Sequence, residues 1–209
     1  MTGTHIHRAH HHHSDEEGDP HSPHAGEKGP FRRFLHAHTG WLLMPDVRPL
    51  ESYVPDLKAD PICRFIDRTF FVWALLGLAI PAVLGGLLTM SWLGALTGLL
   101  WGGLVRIFIE HHATWSVNSV CHVWGSQPYE SHDHSRNNAI FGMLALGEGW
   151  HNNHHAFPTS ARHGLKWWQF DSSWLLIKSL SAMGLIWSVR VPSQERLEGK
   201  PKKHASAEH

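Results

Sequence analysis

The sequence predicts an all-α fold, an integral membrane helical hairpin capped by cytoplasmic helices that carry closely spaced histidines. Two patterns predict it. In residues 70–109 the only charged side chain is that of Arg106. Outside this apolar block, the pattern H-x-x-H-H places three histidines on one face of a helix. The pattern occurs twice, at His7, His10 and His11 and again at His151, His154 and His155.

The apolar block is long enough for two membrane helices. One span needs about 20 apolar residues, and the block divides into residues 70–88 and 92–109 around a short connection at 89–91. Such a connection predicts a hairpin whose ends lie on the same side of the membrane. Arg64 and Arg68 precede the block, and positive flanks favour the cytoplasm, so we expect both ends and both termini there. A buried hairpin of a soluble protein is the alternative.

Polar segments flank the hairpin. Residues 1–30 lack the apolar stretch of a secretory signal peptide. Residues 172–189 carry apolar side chains near helical spacing with Lys178 among them, which predicts an amphipathic helix on the membrane surface rather than a third span. Residues 191–209 are predicted to be a flexible polar tail.

The composition limits the classes of protein to consider. The chain has 209 residues, which fits one domain, and only 17% of them are charged, against roughly 25% in a typical soluble domain. Lys plus Arg and Asp plus Glu number 18 each, so we expect no nucleic-acid partner. The two cysteines, Cys63 and Cys121, are too few for a disulfide framework or a thiolate metal site.

The histidine triplets indicate a metal site, because neutral imidazole is the commonest metal-binding side chain. A site rich in imidazole suits iron, zinc or copper better than magnesium or calcium. The first triplet alone is ambiguous, since residues 10–13 form a run of four histidines that resembles low-complexity sequence or a purification tag. The second triplet follows the segment GEGW and has no such bias.

A further pair follows the hairpin. Asn118 and His122 lie four residues apart, one turn apart on the same face if the segment is helical. Such a pair could simply hydrogen-bond the backbone at a helix end. Beside the two triplets, His122 becomes a further candidate ligand, and Asn118 a residue that could hold a metal-bound water or orient a ligand.

These segments resemble the membrane fatty acid desaturases, specifically the delta-9 acyl-CoA, or stearoyl-CoA-like, branch found in bacteria. The matching text is HRAHHHHSDEEGDPHSP, HTGWLL, NSVCHVWGSQPY and SRNNAIFGMLALGEGWHNNHHAFP, in that order, with the hairpin between the second and third segments. The resemblance covers residues 7–190, and GEGWHNNHHAFP is its most specific part. It does not extend to residues 191–209.

The resemblance implies a non-haem centre of two iron ions that removes two hydrogens from a saturated fatty acyl chain, using O₂ and two electrons. Trp115 and Trp150 are candidates to line the acyl tunnel, although each could instead be a tryptophan at the membrane interface. The metal ligands that the resemblance implies are His7, His10, His11, His122, His151, His154 and His155, with Asn118 holding a metal through water.

The chain departs from the family pattern in one respect. The family has an earlier H-x-x-x-x-H box and an earlier pair of membrane spans, and here the second box already begins at His7. We therefore expect residues 1–190 to be the C-terminal portion of a desaturase domain in an N-terminally truncated chain. A non-catalytic remnant, a di-iron hydroxylase on the same scaffold and a histidine-rich membrane protein that handles zinc, nickel or copper remain open alternatives.

The implied reaction needs partners. The substrate is an acyl-CoA or an acyl-lipid, and membrane lipid surrounds the protein, which for this branch means a bacterial inner membrane. No G-x-G-x-x-G motif for a flavin or nicotinamide occurs in the sequence, and two cysteines cannot hold an iron–sulfur cluster. A separate ferredoxin or cytochrome b5-like donor, with its reductase, is therefore implied.

Overall fold

The structure is a computed structural model that describes residues 2–26, 29–43 and 50–200. Across these residues every regular element is a helix, and isolated bridges join Asn137 to Ser126 and to Trp150. The predicted all-α class is therefore confirmed. The chain forms two compact units. The described residues of the first unit are 2–9 and 50–112, and those of the second are 10–26, 29–43 and 113–200.

Most of the α-helices are short, and the longest, of 20 residues, lies in the apolar block. In chain order they are α1 (Thr2–His13), α2 (Pro30–His38), α3 (Pro55–Ala59), α4 (Pro61–Arg68), α5 (Phe70–Thr89), α6 (Trp92–Thr97), α7 (Arg106–Ser119), α8 (Ala139–Leu144), α9 (His151–Ala156), α10 (Ser172–Ala182) and α11 (Gln194–Glu198). A π-helical segment, Gly98–Val105, joins α6 to α7, and 3-10 turns lie at Gly40–Leu43, Leu50–Tyr53 and Val120–His122.

The first unit contains the predicted hairpin. Its first arm, α5, ends where Met90 adopts a left-handed conformation with φ 49°. The second arm begins at Ser91, whose hydroxyl accepts a hydrogen bond from the Gly94 N–H at 3.0 Å. The second arm continues to residue 122, beyond the predicted end at 109. At the predicted end, Arg106 pairs with Glu110 at 2.8 Å, one turn apart on the helix.

Small residues let the two arms approach closely. A Cβ atom on Gly98 would lie 2.1 Å from the carbonyl oxygen of Pro81, and one on Gly85 would lie 2.3 Å from that of Gly94. Close backbone approach through glycine is typical of paired membrane helices. Both arms are long and apolar enough to cross a membrane, and none of the most apolar stretch of α5 is buried within the described protein.

Hydrogen bonds from Arg8 hold the part of α1 that belongs to the first unit against residues 53–56. Arg8 donates hydrogen bonds to both carboxylate oxygens of Asp56, at 2.5 and 2.8 Å, and to the carbonyl of Tyr53 at 2.9 Å. The pKa of Asp56 falls to about 2, chiefly because of the hydrogen bond from Arg8.

The second unit has an unusually polar interior. Among its fully buried side chains are those of His10, His122, Asn152 and Asn153. Buried polar side chains are more informative than buried apolar ones, because each must be matched by a partner. The interior of this unit is therefore where a functional site is expected.

The C-terminal segments partly match their predictions. The predicted amphipathic helix of residues 172–189 is α10, which ends at Ala182 shortly before Gly184 turns the chain with φ 71°. Leu175 and Leu176 on α10 are exposed, while its place on a membrane surface stays a prediction. The short helix α11 lies in the predicted tail, residues 201–209 lie outside the described part, and the flexibility of the tail stays a prediction.

Candidate metal centre

Four buried histidines of the second unit form a cluster, which we call the four-histidine cluster: His10, His122, His151 and His155. One ring nitrogen from each lies within 4.8 Å of the others. The cluster draws on three separate segments, because His10 lies near the end of α1, His122 lies in the turn after α7, and the other two lie one turn apart in α9.

The Nε2 atoms of the cluster are placed as metal ligands would be. Within the described residues, the buried Nε2 atoms of His10 and His155 have no hydrogen-bond partner. Those of His122 and His151 are 3.0 Å apart. Two nitrogens that bind one ion at about 2.1 Å lie about 3.0–3.4 Å apart. Because a buried polar atom without a partner costs about 1–3 kcal/mol, a metal ion bound here would satisfy both the spacing and the unpartnered atoms.

Three buried carboxylates hold the opposite ring nitrogens of three cluster histidines. The Nδ1 atoms pair as follows: His10 with Asp19 at 2.8 Å, His122 with Asp15 at 2.7 Å, and His155 with Asp133. An ionised carboxylate can only accept a hydrogen bond. Each Nδ1 therefore carries the proton, and each Nε2 keeps a lone pair for a metal.

The electrostatics favour neutral imidazoles beside charged carboxylates. Burial alone would raise the pKa of Asp15 and of Asp133, but hydrogen bonds from the paired histidines and from nearby N–H and hydroxyl groups bring both pKa values well below their usual range. Burial lowers the pKa of His155 to about 4, although Asp133 acts in the opposite direction. Burial and the neighbouring imidazoles also lower the pKa of His151. Neutral imidazole is the form that binds metal.

A second pair of imidazoles lies beside the cluster. The Nε2 atoms of His11 and His154 are 2.9 Å apart. The ring of His11 stacks on that of His155 with their centroids 4.4 Å apart. The second unit therefore brings six of the predicted histidine ligands into one region. All six donors are imidazoles, and three of them bond to a carboxylate through Nδ1. Such a set suits iron, zinc or copper.

The two asparagines between the histidines of α9 fix this six-residue helix in place. Asn152 accepts from the N–H of Tyr129 at 2.9 Å and donates to its carbonyl at 3.1 Å. Asn153 donates to the carbonyl of His163 at 2.6 Å and to Oε1 of Gln169 at 3.0 Å, and it accepts from Nδ2 of Asn137 at 2.7 Å. So short a helix is not stable alone, and these bonds hold its histidines in position.

The residues just before α9 allow close packing. A Cβ atom on Gly149 would lie 2.2 Å from the N atom of Gly142, so no larger residue fits there. Trp150 is 2% exposed, and its Nε1 donates to the carbonyl of Phe170 at 2.7 Å. Its ring packs edge-on against that of Trp168, with the centroids 5.4 Å apart.

Three further predicted site residues, His7, Asn118 and Trp115, are not members of the four-histidine cluster. His7 belongs to the first unit and precedes His11 by one turn of α1. Asn118 lies half-buried near the end of α7 and is not one of the cluster. Trp115 is half-buried, with its ring centroid 6.2 Å from that of His38. The ligand roles of His7 and Asn118 and the tunnel roles of Trp115 and Trp150 stay predictions.

The sequence reasoning missed the carboxylates. Asp15 and Asp19 follow the first triplet within the segment SDEEGDP, and Asp133 lies between two histidines in HDH. Metal-binding histidines almost always donate their other N–H to a carboxylate, carbonyl or water. Acidic residues beside a histidine box are therefore a signal that could have identified them.

The chain is similar to known proteins along most of its length. The fatty acid desaturase family profile matches residues 2–187. Relatives include a hex-5-enoyl-(acyl-carrier protein) acetylenase of Moorena producens, 44% identical over 93% of this chain and 62% of its own length. A chloroplastic palmitoyl-monogalactosyldiacylglycerol delta-7 desaturase of Arabidopsis thaliana is 41% identical over 90% of this chain and 48% of its own length. An acyl-CoA C20 Delta5-desaturase of Anemone leveillei is 40% identical over 90% of this chain and 57% of its own length.

The match therefore runs along nearly all of this chain, which spans between about half and three-fifths of the length of these relatives. It includes both histidine triplets and the hairpin. The chain belongs to the fatty acid desaturase family.

Proposed function

We propose that the protein desaturates a saturated fatty acyl chain with O₂. Two adjacent CH₂ groups each lose one hydrogen, and O₂ takes up these two hydrogens, two electrons and two protons to give two water molecules. The observation that carries the proposal is the four-histidine cluster, whose buried Nε2 atoms of His10 and His155 lack partners within the described residues. Such a centre in a desaturase-family chain fits oxidation of an alkyl chain, which offers no group for acid–base attack.

The proposed metals are two iron ions. Their proposed ligands are His7, His10, His11, His122, His151, His154 and His155, with Asn118 acting through a water molecule. When bound, the irons supply the oxidation of C–H bonds by O₂. The protein supplies neutral imidazole donors and a buried site from which bulk water is excluded.

The finer features of the substrate follow from the resemblance. We propose a double bond at the delta-9 position of an acyl-CoA or an acyl-lipid. The names of the relatives include an acyl-CoA, a galactolipid and an acyl-carrier protein as carriers, and delta-5 and delta-7 as positions of desaturation. Both the carrier and the position therefore vary among them. Trp115 and Trp150 are proposed to line the path of the chain.

The proposed setting is a bacterial inner membrane, with the histidine boxes and both termini in the cytoplasm. The apolar, exposed arms of the hairpin support membrane insertion. The electrons are proposed to come from a separate ferredoxin or cytochrome b5-like protein with its reductase, because the sequence has no redox cofactor motif of its own.

The test uses the full chain expressed in bacterial membranes with a ferredoxin and its reductase. Deuterium-labelled stearoyl chains are supplied, products are identified by mass spectrometry, and iron is measured in the purified protein. His154→Ala removes one of the proposed ligands and is compared with His132→Ala, which changes an exposed histidine that is not among them. We expect iron and the double bond to be lost in the first variant and kept in the second.

Other outcomes select among the alternatives. Iron and desaturation that both survive in His154→Ala would contradict the ligand assignment. A hydroxylated product would identify a hydroxylase on the same scaffold. Bound iron without any product would identify a non-catalytic relative, and a protein that takes zinc or copper but no iron would identify a metal-handling protein.

A further inference from the structure

Three carboxylates of the second unit share one bonding pattern. Each accepts one hydrogen bond from an imidazole Nδ1 of the four-histidine cluster and at least one more from a backbone N–H. The N–H donors are those of His134 for Asp15 at 2.9 Å, of Asp15 and His21 for Asp19 at 2.8 and 3.0 Å, and of Ser135 for Asp133 at 3.0 Å. Such bonds fix the carboxylates, and the carboxylates in turn fix the rings.

The first two carboxylates form one connected scaffold. Oδ2 of Asp19 accepts both from Nδ1 of His10 and from the N–H of Asp15. Asp15 in turn accepts from His122 and from the hydroxyl of Ser22 at 2.7 Å. The backbone of Asp15 lies in the left-handed region, with φ 62°, which residues other than glycine seldom adopt and which aspartate and asparagine tolerate best. Strain of this kind is characteristic of functional sites.

The third carboxylate acts on the other side of the cluster. Asp133 is fully buried and is held by both the N–H and the hydroxyl of Ser135. It meets His155 of α9, whereas Asp15 and Asp19 lie in the loop after α1. Within the described residues, no carboxylate bonds to His151. The support is therefore specific to three of the four rings.

We propose that Asp15, Asp19 and Asp133 are positioning residues of the metal centre. Each fixes the Nδ1–H tautomer of its histidine, so that the Nε2 lone pair is free to bind the metal. Together the three carboxylates also place three negative charges next to the imidazoles that bind the cation. This inference rests on the proposed metal centre and adds to it a requirement for residues that do not touch the metal.

The test compares variants of Asp133 with a matched control in the full chain. Asp133→Ala removes both the charge and the acceptor, whereas Asp133→Asn removes the charge but keeps an amide oxygen that can accept from Nδ1. The control is Asp171→Ala. Asp171 is also a buried carboxylate of this unit, but its hydrogen-bond donors are backbone N–H groups, those of His163, Gly164 and Trp174.

Two readouts separate positioning from general stability. The first is the affinity for Co²⁺, followed through its visible absorption. Loss of such a supporting residue weakens metal binding by about 10–100-fold. We expect that loss for Asp133→Ala, a smaller one for Asp133→Asn, and none for Asp171→Ala. The second readout is the ¹⁵N chemical shift of His155 in the metal-free protein, assigned with His155→Gln. It should report the Nδ1–H tautomer in the wild type and a mixture in Asp133→Ala.

The possible failures are distinguishable. If the wild type binds Co²⁺ but Asp133→Ala binds it within twofold and keeps the tautomer of His155, the positioning role is wrong and the metal centre stands. An equal loss of Co²⁺ affinity in Asp171→Ala would also overturn the positioning role. If the wild type binds neither Co²⁺ nor iron, the proposed metal centre fails and this inference fails with it.

Discussion

Nδ1 of His122 donates a hydrogen bond of 2.7 Å to Oδ2 of Asp15, a residue 107 positions earlier in the chain. The contact joins the loop after α1 to the turn after α7. Because the N–H of Asp15 also bonds to Asp19, which accepts from His10, the residues that hold His10 and His122 are connected. It also depends on an unfavourable backbone conformation at Asp15, whose φ is 62°.

That conformation leads to a prediction about stability. Asp15→Asn should lower the free energy of unfolding by less than about 1.5 kcal/mol, because asparagine tolerates positive φ and its amide oxygen can still accept a hydrogen bond. Asp15→Ala should lower it by about 2–4 kcal/mol, because the donors lose their acceptor while the strain remains. Denaturant unfolding in detergent, followed by tryptophan fluorescence, measures both. Equal losses in the two variants would contradict this account.

The buried amide of Asn153 leads to a second prediction. Asn153→Ala leaves the side chains of Asn137 and Gln169 and the carbonyl of His163 without the partner they have now. We expect a loss of about 2–4 kcal/mol in the free energy of unfolding, together with weaker metal binding, since α9 would no longer be held. Gln194→Ala in the exposed helix α11 is the control and should change stability by less than about 0.5 kcal/mol. A loss no larger than that of the control would show that α9 is held by other contacts.

Acidification of the metal-free protein provides a third prediction. Burial lowers the pKa of His155 to about 4 in the folded state, against about 6.5 in an unfolded chain. Between these values the unfolded state binds more protons, so the stability from the neutral ring is fully present above pH 6.5 and is lost as the pH falls toward 4. The expected slope is about 1.4 kcal/mol per pH unit for each such histidine.

The variant His155→Gln isolates this contribution. Denaturant unfolding of the metal-free wild type and of the variant is repeated at several pH values. The free energy of unfolding should depend less steeply on pH in the variant, by an amount that corresponds to about one bound proton. The chain has 21 histidines, so only the difference between the two proteins is informative. Identical slopes would mean that His155 is not held neutral in the folded state.

Local patterns predicted much of the fold. The hairpin followed from composition alone, because residues 70–109 contain one charge and a short polar connection, and the observed turn at Met90 lies within that connection. The helix of the second arm continues past residue 109, where the predicted apolar span ends. The pairing of Arg106 with Glu110 depends on side-chain geometry one turn apart, which an apolar count does not include.

The site was predicted less completely. Histidine spacing indicated the triplets, and His10, His122, His151 and His155 do come together. Asp15, Asp19 and Asp133 were missed because the histidine spacing identifies side chains on one helix face and does not identify their hydrogen-bond partners. Asp15, for example, bonds to a histidine 107 positions away. Asn152 and Asn153 were not among the predicted site residues, although their hydrogen bonds to Tyr129, His163 and Gln169 position the whole helix.

The hairpin leads to a last prediction, about topology. In a Cys63→Ser background, single cysteines are introduced by Asp67→Cys, Glu110→Cys and Met90→Cys. The first two flank the arms and the third lies at the exposed tip, where Met90 is 87% exposed. A membrane-impermeant maleimide should label the flanking cysteines only from the cytoplasmic side, in inverted vesicles, and the tip only from the outside of intact cells. The physical reason is that α5 and the apolar part of the second arm, residues 92–109, are each about one span long, and that Arg64 and Arg68 favour the cytoplasm for the first flank.

The background protein controls for the remaining cysteine, Cys121, which is buried and should not react. If the tip and both flanks react from the same side, the arms do not cross the bilayer and the hairpin is a surface or buried element. If the tip reacts from the cytoplasmic side and both flanks from the outside, the hairpin is inverted. Inversion would place the end of the second arm, and His122 with it, away from the cytoplasmic electron donor that the proposed reaction requires.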